Sequence, residues 1–373
     1  MSIATPRATR SFPETETRKV FSVPTASFSM REARNIVGDL FTPNPVIYWT
    51  DFLVTLFTGY AFFATVRRVD SVWLAGFSFV ASCLLFYRAS IFIHELTHLQ
   101  RGTFKTFRIV WNLLCGIPFL VPSFLYYVHL DHHRRKLYGT EHDCEYLPLG
   151  SSPPWRILYY LSQSFIIPIL AIVRFLIVAP ICWVSPTARK WVLVHASSMV
   201  MNPAYARPTP TPEDIRVWRI QEALTFLFCA VVAGLLIAGV RPLSFLLQAY
   251  GTGVFIVLLN EIRSMAAHRF YGDGRQLTFD EQIVDSINFP THRFTSTLWA
   301  PVGLRFHALH HIFPTMPYHN LEKAHHRLVE RLPANSIYHQ TVSPSLWAAA
   351  RDLWCLARNS QRPSESDDSR AAA

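Results

Sequence analysis

Four long apolar runs set the frame of this sequence. The first extends from Val46 to Val66 and is interrupted by the polar Arg67-Arg68-Val69-Asp70. A second starts at Ser71 and continues through Phe86 towards His94. The third runs from Val217 to Val240, breaks at Arg241-Pro242, and is followed at once by a fourth from Leu243 to about Ala267. Each approaches the roughly 20 residues that a helix needs to cross a bilayer, and the short links make each pair a hairpin. Two further apolar stretches are harder to place. Residues 109–128 contain Gly116, Pro118 and Pro122, and residues 157–184 contain Pro168 and Arg174. Each is broken midway and neither is long enough for two crossings. Both are therefore read as helices lying in the interface or dipping into it.

The expected fold is all-α: a polytopic membrane protein with four transmembrane helices, arranged as two hairpins under a cytoplasmic helical cap. The side follows from charge. Between residues 101 and 216 there are 12 Lys and Arg, whereas the two tight links hold only Arg67, Arg68 and Arg241. By the positive-inside rule the termini and the central segment face the cytoplasm. The chain divides into a polar, flexible N-terminal stretch (1–45), a membrane domain (46–335) and a C-terminal extension (336–373) with a disordered tail from about Ser360. No apolar signal-peptide core begins near the N-terminus, so no cleavage is expected.

Composition narrows the class. Half of the residues are apolar and 16% are charged, against about 25% charged in an ordinary soluble domain. This excludes a disordered, coiled-coil or collagen-like chain. The net charge of +10, in so apolar a chain, points to basic residues facing anionic lipid and not to a nucleic-acid partner. The cysteines lack metal or disulfide spacing; Cys83, Cys182 and Cys229 sit in apolar runs and read as small buried hydrophobes.

Sixteen histidines carry the chemistry. Three clusters stand out: His94-Glu95-Leu96-Thr97-His98, His129-Leu130-Asp131-His132-His133 and His307-Ala308-Leu309-His310-His311. Spacings of three and four put side chains on one helix face, so each cluster offers imidazoles pointing the same way. Imidazole suits iron, zinc, copper and nickel. Eight such groups exceed the needs of one four-coordinate ion and match two metals with nitrogen-rich shells. With four crossings, all three clusters fall on one side of the membrane. His268 is a further candidate, and Asn260, Ser264 and His268 form one polar stripe on an otherwise apolar helix. Such a stripe faces the protein interior or a functional cavity. Asp131, Glu141 and Asp143 are candidate partners for ligand N–H groups, as is Glu95. His142, His319, His325 and His326 read as structural or supporting, and His195, His292 and His339 carry no signal. A rival reading uses the first cluster alone: His94-Glu95-x-x-His98 is the zinc-protease pattern, with Glu95 as general base. It leaves the other two clusters unexplained.

At these residues the chain resembles the membrane fatty acid desaturase superfamily, with its hydroxylase relatives and, more distantly, the carotenoid ketolases and hydroxylases. The three histidine boxes match in order, spacing and placement. Asn112 to Pro122 looks like the stretch before the second box, Tyr138-Gly139-Thr140 and Asp143 like its continuation, and HALHHIFPTMPYHNLEKAH from His307 like the third box with its Phe-Pro-x-x-Pro-Tyr sequel. The resemblance covers roughly residues 46–335. It implies a non-haem di-iron centre ligated by His94, His98, His129, His132, His133, His307, His310 and His311. His268 matches an extra histidine of some desaturases, which have Asn four residues earlier where this chain has Ser264. His307 opens the third box in place of the Gln of relatives with a fused cytochrome, and no fused haem module is visible. The resemblance therefore implies a separate electron donor: a ferredoxin, a rubredoxin or a b-type cytochrome system. The activity implied is insertion of a double bond into a lipid acyl chain with O2 and two electrons. The alternative is hydroxylation or ketolation of an alkyl, sphingolipid or carotenoid substrate.

Overall fold

A helical scaffold with a few isolated β-bridges and no strand emerges from the computed structural model, which describes residues 28–100 and 102–361. In chain order, α1 (Met30–Val37) leads into α2 (Pro45–Thr65), which starts with proline at its first turn and with Asn44 accepting from the Val46 N–H at 3.0 Å. Pro is pre-organised for that position and lacks an N–H that would go unpaired there. After the Arg67–Asp70 link, Ser71 caps α3 (Val72–His98). Gly59 lets the two helices meet closely, because a Cβ there would lie 2.8 Å from the Phe86 ring. At 27 residues, α3 is about 40 Å long, longer than the roughly 30 Å hydrocarbon core. Its last turns are buried by protein from Ile91 to Thr97, His94 included, and His98 is half-buried.

A short α4 (His129–His132) lies in the connection that follows. Next come α5 (Trp155–Ser162) and a longer apolar run, α6 (Ile167–Val184). Then α7 (Pro212–Ile237), capped by Thr211, and α8 (Leu243–Ala267) form the second hairpin. Five helices, α2, α3, α6, α7 and α8, are long and apolar enough to cross a membrane. Four were expected. The extra one, α6, falls in the stretch read as interfacial. Pro168 and Pro180 each sit in the first turn of a helical piece, and a wider turn at Arg174–Val178 joins the pieces. The breaks therefore bend the run without ending it. Arg174 is held by Glu222 of α7 at 2.7 Å, and Glu222 also takes Arg189 at 2.7 Å. Buried charges persist in an apolar setting when each finds an opposite partner.

The chain then returns over the ends of α3 and α8. His268 leaves α8 in extended conformation, clamped by Ile287 N–H to Ala267 O (2.9 Å) and Arg269 N–H to Asp285 O (2.7 Å). Asn288 is fully buried; its Oδ1 accepts from Leu309 N–H at 3.1 Å and so fixes α9 (His307–Ile312). α10 (Tyr318–Arg331) packs on α1, where Ala33 and Val37 are buried in one cluster with Leu321, Ala324 and Leu328. Residues 28–44, within the stretch expected to be flexible, are thus packed onto the third-box region. α11 (Leu346–Asn359) packs near the end of α8. Residues 1–27 and the tail from residue 362 lie outside the described residues.

Candidate metal centre

The three boxes and His268 converge. α3 presents His94 and His98 one turn apart, α4 and its C-cap present His129, His132 and His133, α9 presents His307, His310 and His311, and His268 sits where α8 ends. They divide into two sets. One contains His94, His98, His129, His133 and His310; the other contains His132, His268, His307 and His311. Within each set the ligand atoms lie within 4.8 Å of one another. The second and third boxes therefore each contribute to both sets, and the sets touch: the His133 and His311 rings stack at 4.3 Å between centroids.

The chemistry of the donor set fits metal ions. In the first set, Nε2 of His133 lies 3.0 Å from that of His129 and 3.3 Å from that of His310, which is 3.2 Å from that of His98. In the second, Nε2 of His268 lies 3.2 Å from that of His132 and 3.0 Å from that of His307, which is 3.0 Å from that of His311. Nitrogens about 2.1 Å from one ion and at right angles are about 3 Å apart. Neutral imidazoles can pair through one N–H, but four lone pairs meeting at a point need a cation. His94 is buried with neither ring nitrogen hydrogen-bonded, which leaves it free to donate a lone pair.

Electrostatics keep most of these imidazoles neutral, the form that binds metal. Burial, then neighbouring imidazoles, push His133, His307 and His311 well below the ordinary histidine value. Burial also lowers His129, His268 and His310. His132 differs: burial opposes its charge, but the Asp143 carboxylate outweighs that and holds it above the ordinary value.

The outward Nδ1 atoms meet acidic groups. His132 Nδ1 lies 2.9 Å from Asp143, which also accepts from the Gly139 and Glu145 N–H groups. His129 Nδ1 lies 2.8 Å from Glu145. Burial raises that carboxyl, but His129 more than offsets it and holds it down at about 2. His268 Nδ1 faces the Tyr138 hydroxyl at 2.8 Å, which donates to Asp285 at 2.7 Å; Asp285 itself is 3.5 Å from the ring. Such contacts fix ring orientation and tautomer.

Of the expected supporting residues, Asp143 stands against a box histidine. Asp131 does not: its carboxylate takes the Tyr205 hydroxyl at 2.6 Å and Arg134 at 3.2 Å. The Glu141 side chain is exposed and pairs only with His142. Asn260 accepts from Arg263 at 2.8 Å, and Ser264 lies beside Tyr160. Glu95 turns away from the imidazoles, accepting from Tyr48 at 2.5 Å and from the Tyr318 N–H at 3.3 Å. No imidazole contact supports it as a base, as the zinc-protease reading requires. Glu145 and Asp285 were not singled out in the sequence, and Tyr138 was noted only within the continuation of the second box. Glu145 lies two residues from Asp143 and had that proximity as a signal, whereas Asp285 had none. His319 and His325 serve packing, through Asn44 N–H (3.2 Å) and the Tyr338 hydroxyl (2.8 Å).

Two histidine clusters at the ends of long apolar helices, together with similarity to known proteins, define a membrane oxidoreductase of lipid metabolism. Residues 71–343 match the family model for fatty acid desaturase, and the chain belongs to that family. It is similar to a ceramide hydroxylase of Caulobacter vibrioides (strain NA1000 / CB15N), with 38% identity over 334 residues, covering 88% of this chain and 93% of that one. No solved structure matches it.

Proposed function

We propose that this protein is a membrane di-iron oxygenase that hydroxylates a ceramide-class lipid, using O2 and electrons from a separate donor protein. The observation that carries the reading is the pair of adjoining imidazole sets; the near full-length similarity to a ceramide hydroxylase favours hydroxylation over desaturation. Bound iron would supply the O2-dependent oxidation of an unactivated C–H bond that no side chain can perform. In balance, one oxygen atom enters the C–H bond. The other leaves as water with two electrons and two protons. The chain's own part is to hold nine imidazoles in place, most of them neutral through burial. Asp143 and Glu145 orient His132 and His129 directly, and Tyr138 relays Asp285 to His268. The family match keeps desaturation as a second outcome, since both begin with abstraction of one hydrogen.

Four crossings, with the imidazoles on the cytoplasmic side, suit this site best. The chain entering α6 reaches far along α8, where Tyr250 donates to Phe165 O at 2.9 Å and Pro168, in the first turn of α6, faces Gly253. By Arg174 it is back beside Ala196, whose carbonyl accepts from Arg174 Nε at 2.8 Å. Such a path supports the reading of a segment that enters and leaves on one side. A single crossing by α6 would put His268 and His94 on opposite faces.

Expression in a ceramide-producing host that lacks hydroxylated ceramide tests the reaction. Mass spectrometry is expected to find ceramide with one added oxygen, dependent on O2 and on the box histidines. Loss of two hydrogens would establish desaturation instead, and unaltered lipid would contradict both.

A further inference from the structure

A hydrocarbon chain alone does not explain what lies on the bilayer side of the two histidine sets. α8 carries Asn260, Glu261 and Arg263 in its last two turns before His268. Glu261 and Arg263 are each only 3% exposed. Both Glu261 carboxylate oxygens and the Arg263 Nε are buried without a hydrogen-bond partner. Glu261 is seven residues before His268, so it lies on the same helix face about 10 Å below it. Arg263 is beside the Tyr87 and Tyr126 hydroxyls. Tyr87 is likewise seven residues before His94 on α3, and the Tyr126 ring stacks on His129 at 5.0 Å. The guanidinium lies within electrostatic range of His94, His129, His307 and His310, members of both sets.

The Arg263 guanidinium already donates to Asn260 Oδ1 at 2.8 Å, so what lacks a partner is its Nε and both Glu261 oxygens. Leaving such atoms unpaired in an apolar setting is costly, and ionisable residues inside spanning helices mark function by default. A plain acyl chain would give the Glu261 carboxylate and the Arg263 Nε nothing to bond. We propose that Arg263 and Glu261 form the polar end of the substrate pocket. Arg263 donates to a carbonyl or hydroxyl oxygen, and Glu261 accepts from an N–H or O–H, of an N-acylated amino alcohol. The oxidised carbon then lies within a few bonds of the amide, not in mid-chain. This rests on the ceramide reading above and extends it to position.

The test compares binding of a radiolabelled short-chain ceramide with binding of an alkane of the same chain length, in detergent, to the full-length protein and to Arg263→Met and Glu261→Leu. Apolar replacement leaves no orphaned charge at the altered position, and iron content checks that each variant is folded. Wild type is expected to prefer ceramide by about tenfold or more, the scale of one hydrogen bond to a charged group. Each variant should lose most of that preference while binding the alkane as before. A merely structural role would weaken both ligands alike, and that result overturns the assignment. So does equal binding of both ligands by wild type, or oxygen found in mid-chain. Wild-type preference for ceramide without any oxygenated product would support the pocket and overturn the proposed reaction.

Discussion

The two imidazole sets differ in how they are supported. The first has five members, with Glu145 backing one of them, and its His94 has no hydrogen bond at either nitrogen. The second has four, and two of these are braced, His132 by Asp143 and His268 by Tyr138 with Asp285. The first set thus has donors to spare and little bracing, while the second has none to spare and is held from behind. Losing one ligand is expected to be tolerated better, for metal retention, in the first set than in the second.

The largest effects come from the ligands themselves. His268→Ala is expected to lower product formation by more than about 100-fold, beyond the 10–100-fold typical of supporting partners, and to release the iron of the second set. His94→Ala is expected to be as inactive but to keep more of its iron. Metal analysis beside lipid mass spectrometry checks this, and equal iron loss in the two variants would remove the contrast. Next come the braces. Asp143→Asn is expected to weaken metal retention about 10–100-fold in chelator competition. Tyr138→Phe should have a smaller effect, because Asp285 stays near the ring.

Acid provides a third probe. His129, His133, His268, His307, His310 and His311 are held below the ordinary histidine value, chiefly by burial. The unfolded chain takes up protons near pH 6.5 where the fold resists them. The unfolded state then binds more protons, so stability rises with pH through this window and falls as pH drops below about 6.5. His132 is shifted the other way and subtracts only in part. Melting of chelator-treated protein should therefore fall between about pH 7.5 and 5.5, and an unchanged midpoint would contradict it. The smallest effect is expected at Glu141→Gln. That exposed side chain should shift stability by no more than about 0.5 kcal/mol and leave activity unaltered.

The histidines were legible because box spacing places them on helix faces, and the structure brings those faces together. Their division into sets was not, since the second box is split between sets, with His129 and His133 in one and His132 in the other. Bracing was legible where it is local, as at Asp143. Asp285 reaches His268 through Tyr138 across more than a hundred residues of chain, and nothing in local spacing encodes that. Glu141 failed for the opposite reason: it is near the box in sequence but points to solvent. The apolar runs marked α2, α3, α7 and α8, whereas Pro168 and Arg174 were read as breaking the α6 stretch midway; Pro168 sits in the first turn of a helical piece and a wider turn at Arg174–Val178 carries the helix on.

The most direct test is the iron content of protein purified without chelator, for wild type and His268→Ala side by side. Two separate sets predict about two irons per wild-type chain and about one in the variant. One zinc and no iron in wild type, or two irons retained by the variant, would contradict the account.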